Sequence, residues 1–285
     1  FWHGYLSMRP NEQPTFMAYD HLPRFITNYV GLRNRMGILS ETFPHELFEK
    51  RILSNYYLLV SVLEYTGSHA KAVSEVVAKA DQATVDLIKS SAGKIQRGVT
   101  YQPAAEADPV RMLIRETVPY TDANGRKRQR PTGDLSWIEN VKQFNHFEPV
   151  KLSTVPRTYL FPAELETIAR KLEQHGIIVQ KTQKKIRVEG EEFLVTHYGE
   201  EAKKNPWEGK KMALEGNFRP VKKNIPAGWY AVDMAQPLAW LIFYLLEPQS
   251  DDGLLNWEFF NDYLKKAGID KGSVPYPVIK TNNSI

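Results

Sequence analysis

The fold prediction depends most on one short segment, Asn28-Tyr-Val-Gly-Leu-Arg-Asn-Arg-Met-Gly-Ile-Leu-Ser-Glu41. Its second half, residues 36–40, is apolar and ends abruptly at a carboxylate. This pattern predicts a buried strand that delivers Glu41 to the rim of a sheet, where open α/β folds place their chemistry. Partial burial there raises the proton affinity of a carboxylate toward neutral pH, so Glu41 is a candidate general base. The alternative is a surface glutamate at the end of a strand.

The amino-acid composition limits the classes of protein to which this chain can belong. The chain has 285 residues, of which 42% are hydrophobic and 25% charged, as expected for a globular protein of one or two domains. The formal net charge of +4 is mild and gives no strong case for nucleic acid or membrane as a partner. No apolar run approaches the roughly 18 residues of a membrane helix. The chain has no cysteine, which excludes disulfides and thiol catalysis.

The predicted secondary structure changes near residue 97. Before it, Thr42-Phe-Pro44 suits a helix start, and apolar residues at three- and four-residue steps predict one helix up to Gly67 and another over residues 68–90. Both helices are expected to cover the sheet that contains residues 36–40. After residue 97, short β-rich pieces separated by Pro, Gly and Asn surround one compact helix, which indicates an α+β module.

A basic loop lies in this second part. Asp122-Ala-Asn-Gly-Arg-Lys-Arg-Gln-Arg-Pro-Thr-Gly133 is predicted to be a hairpin with Asn124-Gly125 at its tip. Its cations could hold a phosphate, but no aromatic residues are interleaved with them. The prediction is therefore a solvated loop and no nucleic-acid partner.

With Leu22-Pro-Arg-Phe25 before it, the segment 28–41 resembles the last catalytic segment of zinc carboxypeptidases of the carboxypeptidase A type, in a bacterial branch with an extra C-terminal domain. A second block supports the resemblance, Gly228-Trp-Tyr-Ala-Val-Asp-Met-Ala-Gln-Pro-Leu-Ala239 continuing through Tyr244-Leu-Leu-Glu-Pro-Gln-Ser-Asp-Asp-Gly253. The resemblance implies that residues 1–97 are the end of a mixed-sheet α/β catalytic domain. Residues 98–285 would be a β-rich α+β accessory domain.

The same resemblance implies a periplasmic or secreted peptide hydrolase in which Glu41 is general base and acid on a zinc-bound water. Its substrate would be a peptide with a free C-terminal carboxylate, and a planar Arg suits that group. Arg24, Arg33 and Arg35 are the candidates, with Asn34 beside them. Family members also cap the substrate with a mobile Tyr, and Tyr19 stands before Glu41 at a similar spacing, with Tyr29 as the nearer rival. Each Arg could instead form a structural ion pair, and Tyr29 could pack in the core.

The zinc ligands themselves are not found. A catalytic zinc needs three protein ligands, which the family supplies as His-x-x-Glu and a later His upstream of the catalytic Glu. Only His197-Tyr-Gly-Glu200 has this spacing, with no later His that suits, and we interpret it as a turn. The ligands are therefore expected outside this chain, in a missing N-terminal part of the catalytic domain, and the chain alone is expected to be inactive. The alternative function is a non-catalytic interaction or carbohydrate-binding module.

Overall fold

The computed structural model describes residues 4–9, 11–42, 46–200 and 212–285. It is a mixed α/β fold with 29% helix and 38% strand, in agreement with the general class that the sequence predicts. The helices are α1 (Ile26–Leu32), α2 (Phe48–Ser68), α3 (Ala70–Ser91), α4 (Glu166–Gln174), α5 (Ala239–Leu246) and α6 (Asn261–Ala267). The strands are β1 (Gly4–Ser7), β2 (Thr15–Ala18), β3 (Gln96–Ala104), β4 (Val110–Thr121), β5 (Lys127–Phe144), β6 (His146–Thr154), β7 (Thr158–Phe161), β8 (Gln180–Lys181), β9 (Ile186–Glu200), β10 (Met212–Ile225), β11 (Tyr230–Asp233) and β12 (Val274–Thr281).

The chain divides into two compact units. The first contains Phe1–His21 and Tyr101–Val150, with a four-stranded sheet in the order β1-β2-β5-β4. Its long antiparallel pair β4–β5 closes at the predicted hairpin, where Gly125 has a φ of 76°. The Asp122 carboxylate accepts hydrogen bonds from the backbone N–H groups of Asn124 and Arg126, each at 2.9 Å. The predicted hairpin with Asn124-Gly125 at its tip is therefore confirmed. Glycine suits this position because it tolerates a positive φ.

The second unit contains Leu22–Thr100 and Lys151–Ile285. Its six-stranded sheet has the order β10-β9-β12-β7-β11-β8, and every neighbouring pair is antiparallel. All four residues of β7 are buried, since both faces of the sheet are covered there. Tyr159 and Phe161 join a large apolar cluster with α4 and α5, whereas Leu160 points into a smaller cluster on the other face. This alternation follows from the two-residue period of a strand.

The helices at the predicted positions differ in what they bury. α3 turns one side inward, with Thr84 and Ile88 buried, and Ile88 belongs to the large cluster. None of the 21 residues of α2, all of which the structure describes, is buried. The expectation that both helices cover a sheet containing residues 36–40 is wrong, because the structure describes no strand there and α2 buries none of its residues. The predicted helix start at Thr42-Phe-Pro44 lies partly outside the described residues.

The predicted buried strand at residues 36–40 is not present. These residues have no regular secondary structure, and the side chains of Met36 and Ile38 are 63% and 68% exposed. A strand needs a neighbour to complete its hydrogen-bond ladder, and no described strand pairs with this segment. Instead Gly37 lies so close to Val30 and Thr27 that a Cβ atom there would collide with the Val30 side chain.

Residues on both sides of the predicted boundary at residue 97 contribute to one core. Ile88 packs in the same cluster as Phe161 and Phe243, which lie far beyond that boundary. The two compact units therefore do not coincide with the division into residues 1–97 and 98–285. The assignment of residues 98–285 as an accessory domain stays a prediction.

Candidate functional site

Two of the predicted substrate-binding residues meet a histidine that the sequence analysis did not select. The Tyr29 hydroxyl lies 2.7 Å from His175 Nδ1, and Arg33 Nη1 donates to that hydroxyl at 3.1 Å and to the His175 carbonyl oxygen at 2.5 Å. Because the hydroxyl accepts from Arg33, its own hydrogen is directed to Nδ1, so neutral His175 carries its proton on Nε2. Tyr29 also packs on the large apolar cluster, as its alternative interpretation predicts.

His175 is held in its neutral form. Burial, followed by the positive charges of Lys171 and Arg33, lowers the pKa of His175 from its usual 6.5. Desolvation and nearby cations both oppose a charged imidazole. Near neutral pH the cluster of Tyr29, Arg33 and His175 therefore carries one positive charge, that of the guanidinium. Only the hydrogen bonds of Arg33 Nη1 appear in the described part of the chain, which leaves its Nε and Nη2 donors without a protein acceptor there.

Arg24 has a different environment. Its backbone N–H donates to Asp252 Oδ2 at 2.9 Å and its Nε donates to Oδ1 at 3.0 Å, with Nη2 also on Oδ1. The Asp252 side chain is buried, and Trp257 Nε1 donates to it at 3.1 Å. Arg24 thus forms the structural ion pair that was its alternative interpretation.

The side chains of Asn34 and Arg35, which follow α1, contact α3. Asn34 adopts a φ of 56° just after α1, a left-handed conformation that asparagine tolerates at helix ends. Its amide donates to Thr84 Oγ1 at 3.1 Å and to the Pro237 carbonyl at 3.0 Å. Arg35 makes two hydrogen bonds to Asp81, at 2.8 and 3.0 Å, and they lower the pKa of that carboxyl. Both side chains therefore join the chain after α1 to α3.

The remaining predicted residues are not brought into this group. Glu41 is exposed and follows the irregular segment 36–40. Tyr19 belongs to the first compact unit, whereas Arg24, Tyr29, Arg33, Asn34 and Glu41 belong to the second.

The described residues do not fit a zinc site. No group of three or more His, Asp or Glu side chains in the described ranges could hold a metal ion. His197 and Glu200 lie on β9 and not in a turn, so the interpretation as a turn is wrong. Residues three apart on a strand point to opposite faces of the sheet, and these two side chains cannot bind one ion.

One buried polar cluster was missed by the sequence analysis. Glu247, within the second block of the resemblance, accepts from Ser153 Oγ at 2.6 Å and from the Tyr159 hydroxyl at 2.5 Å, and its carboxylate lies 3.1 Å from Lys280 Nζ. Burial, followed by the charge of Glu247, raises the pKa of Tyr159 well above its usual value. The sequence signal was a lone charged residue, Lys280, in the mostly apolar segment that forms strand β12.

Comparison with family models, with curated proteins and with solved structures found no match for this chain. Among the described residues, no helix combines the length and the apolar character that crossing a membrane requires.

Proposed function

We propose that this chain carries the general base and the substrate-carboxylate site of a carboxypeptidase-type peptide hydrolase. The proposal rests on the resemblance of residues 28–41 and 228–253. Glu41 accepts a proton from the attacking water and returns it to the leaving amine. The catalytic zinc that the resemblance implies would be held by a separate polypeptide part, since the described residues do not fit it.

The observation that carries the substrate site is the geometry of Arg33. Its Nη1 is fixed by Tyr29 and by the His175 carbonyl, which orients the planar guanidinium. Its two remaining donor nitrogens match the two oxygens of a carboxylate, which is the C-terminal group of a peptide. Arg24 is less suited, because the buried carboxylate of Asp252 already occupies its guanidinium. We therefore assign the carboxylate site to Arg33, with Asn34 and Arg35 holding the segment in place.

The exposed apolar surface near Glu41 supports the proposal that this chain binds a partner. Met36 and Ile38 are exposed, and α2 presents a long row of exposed apolar residues: Phe48, Ile52, Leu53, Tyr56, Tyr57, Leu59 and Leu63. Exposed apolar patches of this kind mark interaction sites. A partner that adds strands beside residues 36–40 would bury this surface and place Glu41 at the rim of a sheet. The expected partner is the N-terminal part of such a catalytic domain, which would also supply the zinc ligands.

The test begins with the purified chain of residues 1–285, dialysed against limiting zinc. Elemental analysis is expected to find less than stoichiometric zinc, and a chromogenic peptide with a free C-terminus is expected to remain uncleaved. One tightly bound zinc per chain, lost in His197→Gln, would place a metal site in β9 and overturn this assignment.

In a protein that joins this chain to the zinc-binding part, Glu41→Gln is expected to lower kcat on the order of 10²-fold or more while zinc stays bound. The amide keeps the shape of the carboxylate but cannot accept the proton. Glu75→Gln, an exposed glutamate on α3 outside the proposed partner surface, is the matched control and should retain activity. Equal activity of the two variants, with zinc confirmed, would remove Glu41 from the mechanism.

A further inference from the structure

An open cleft with a volume of about 980 Å³ lies on the six-stranded sheet of the second unit. Its walls are residues 180–184, which follow α4, the start of β9, and residues 282–285, which follow β12. Clefts of this size hold a ligand of several linked units, larger than a single ion. Neither Glu41 nor any other residue of the proposed peptidase site is part of it.

The floor of the cleft is apolar and its rim is basic. Ile186, Val188 and Ala231 supply the floor, on the face of the sheet that carries the smaller apolar cluster. Lys181, Lys184 and Arg187 are exposed around it, and the lining includes no Asp or Glu side chain. Within the described ranges no salt bridge joins these three cations to a carboxylate. A hydrogen bond from Lys222, followed by the charge of Arg187, lowers the pKa of the exposed Glu189. Lys181 Nζ lies 5.0 Å from the centroid of the Tyr230 ring. An excess of one charge around a low-dielectric floor concentrates ligands of the opposite charge.

Hydrogen bonds fix the wall formed by residues 180–184. The backbone N–H of Thr182 donates to the Trp229 carbonyl at 2.8 Å, and the Gly228 N–H donates to the Thr182 carbonyl at 2.7 Å. The Thr182 hydroxyl also donates to the Pro226 carbonyl at 2.9 Å. These bonds anchor the buried residue Thr182 and thereby fix its exposed neighbours, Lys181 and Gln183.

The opposite wall is fixed as well. Thr281 Oγ1 donates to the Glu189 carbonyl at 2.8 Å, and Thr158 Oγ1 donates to the Asn283 carbonyl at the same distance. The exposed amide side chains of Gln180, Gln183 and Asn283 add paired donors and acceptors around the cleft. Because both walls are anchored to the sheet, a ligand would not have to order them on binding.

We infer that this cleft binds an extended acidic peptide segment. The basic rim takes Asp or Glu side chains, the apolar floor takes the alternate side chains of an extended chain, and the amide groups match the N–H and C=O groups of its backbone. A single-stranded nucleic acid suits the cleft less well, because the lining has no aromatic side chain on which bases could stack. An acidic polysaccharide would use the rim but not the apolar floor.

The test is fluorescence anisotropy with the whole chain and a labelled hexapeptide of alternating Glu and Val with both ends blocked. The blocked ends remove the C-terminal carboxylate, so binding does not depend on the peptidase proposal. We expect saturable binding that weakens with added salt, and at least tenfold weaker binding of the hexapeptide in which Gln replaces Glu. Lys184→Gln combined with Arg187→Gln should also weaken binding at least tenfold.

The matched control is Lys265→Gln combined with Lys271→Gln, two exposed lysines outside the cleft, which should change the affinity less than twofold. The removed side chains are exposed in both variants, so unchanged circular dichroism will show that folding is retained. Equal weakening by both pairs would show attraction to net charge and overturn the site. Equal or tighter binding of a hexamer of galacturonic acid or of thymidylate would overturn the peptide assignment.

Discussion

Glu247→Gln is expected to lower the free energy of unfolding by about 3–5 kcal/mol, the usual cost of removing one partner from a buried ion pair. The substitution keeps the shape of the side chain but leaves Lys280 beside a neutral amide. Lys280 is 4% exposed and Glu247 is 1% exposed, so water cannot replace the lost charge. The stability of a whole domain is about 5–15 kcal/mol, and the loss would therefore be a large part of the total.

The loss in free energy of unfolding is expected to be large because this ion pair is buried. A second Glu–Lys pair, located on the surface, tests that dependence on burial. Glu189 lies 3.0 Å from Lys222, but both side chains are more than half exposed. Removing such a surface pair costs about 0–1 kcal/mol. Glu189→Gln is thus a matched control that makes the same chemical change in water.

A double variant separates the unpaired charge from the lost hydrogen bonds. Ser153 and Tyr159 donate to different oxygens of Glu247. In Glu247→Gln with Lys280→Met, the amide oxygen accepts from one of these hydroxyls, the amide nitrogen can donate to the other, and no buried cation is left. This variant should be more stable than Glu247→Gln alone by about 2 kcal/mol or more, because buried ion pairs are replaced by apolar groups at little cost.

The assay is urea denaturation followed by far-ultraviolet circular dichroism, with the slope m compared among all four proteins. If Glu247→Gln costs no more than Glu189→Gln at equal m, the four side chains do not form a buried charged cluster and the reasoning fails.

The remaining predictions concern pH and proteolysis. The folded pKa of His175 lies below its unfolded value of 6.5, so its contribution to stability is present above that pH and is lost as the pH falls through the folded pKa. The loss of stability between about pH 7.5 and about pH 5 should therefore be smaller in His175→Gln than in the unchanged chain, and equal losses in the two proteins would contradict this. Brief trypsin treatment should cut the exposed residues 126–130 before residues 94–97, because Gly93 and Ile95 are hydrogen-bonded to Val155, and mass spectrometry of the first fragments will show the order. Residues 98–285 alone should unfold at lower urea than the whole chain, since they lack the fully buried Ile88. An equal midpoint would instead support the predicted boundary at residue 97.

The sequence by itself determined the local elements of the fold. The spacing of apolar residues predicts α2, α3 and α4, because an amphipathic helix repeats every 3.6 residues whatever it packs against. The β4–β5 hairpin follows from Asn124-Gly125, since the backbone conformation of a tight turn depends on the residues within it. These features need no information about distant parts of the chain.

Only the tertiary structure decided which residues meet. The apolar residues 36–40 form no strand, because a strand depends on a neighbour that pairs with it. Arg24 meets Asp252, and Tyr29 meets His175, across more than a hundred residues of sequence that no local pattern spans. The cleft likewise forms only because residues 180–188, Ala231 of β11 and residues 282–285 after β12 meet around one cavity. Burial and the pairing of charges are properties of these long-range contacts, and composition and spacing do not specify them.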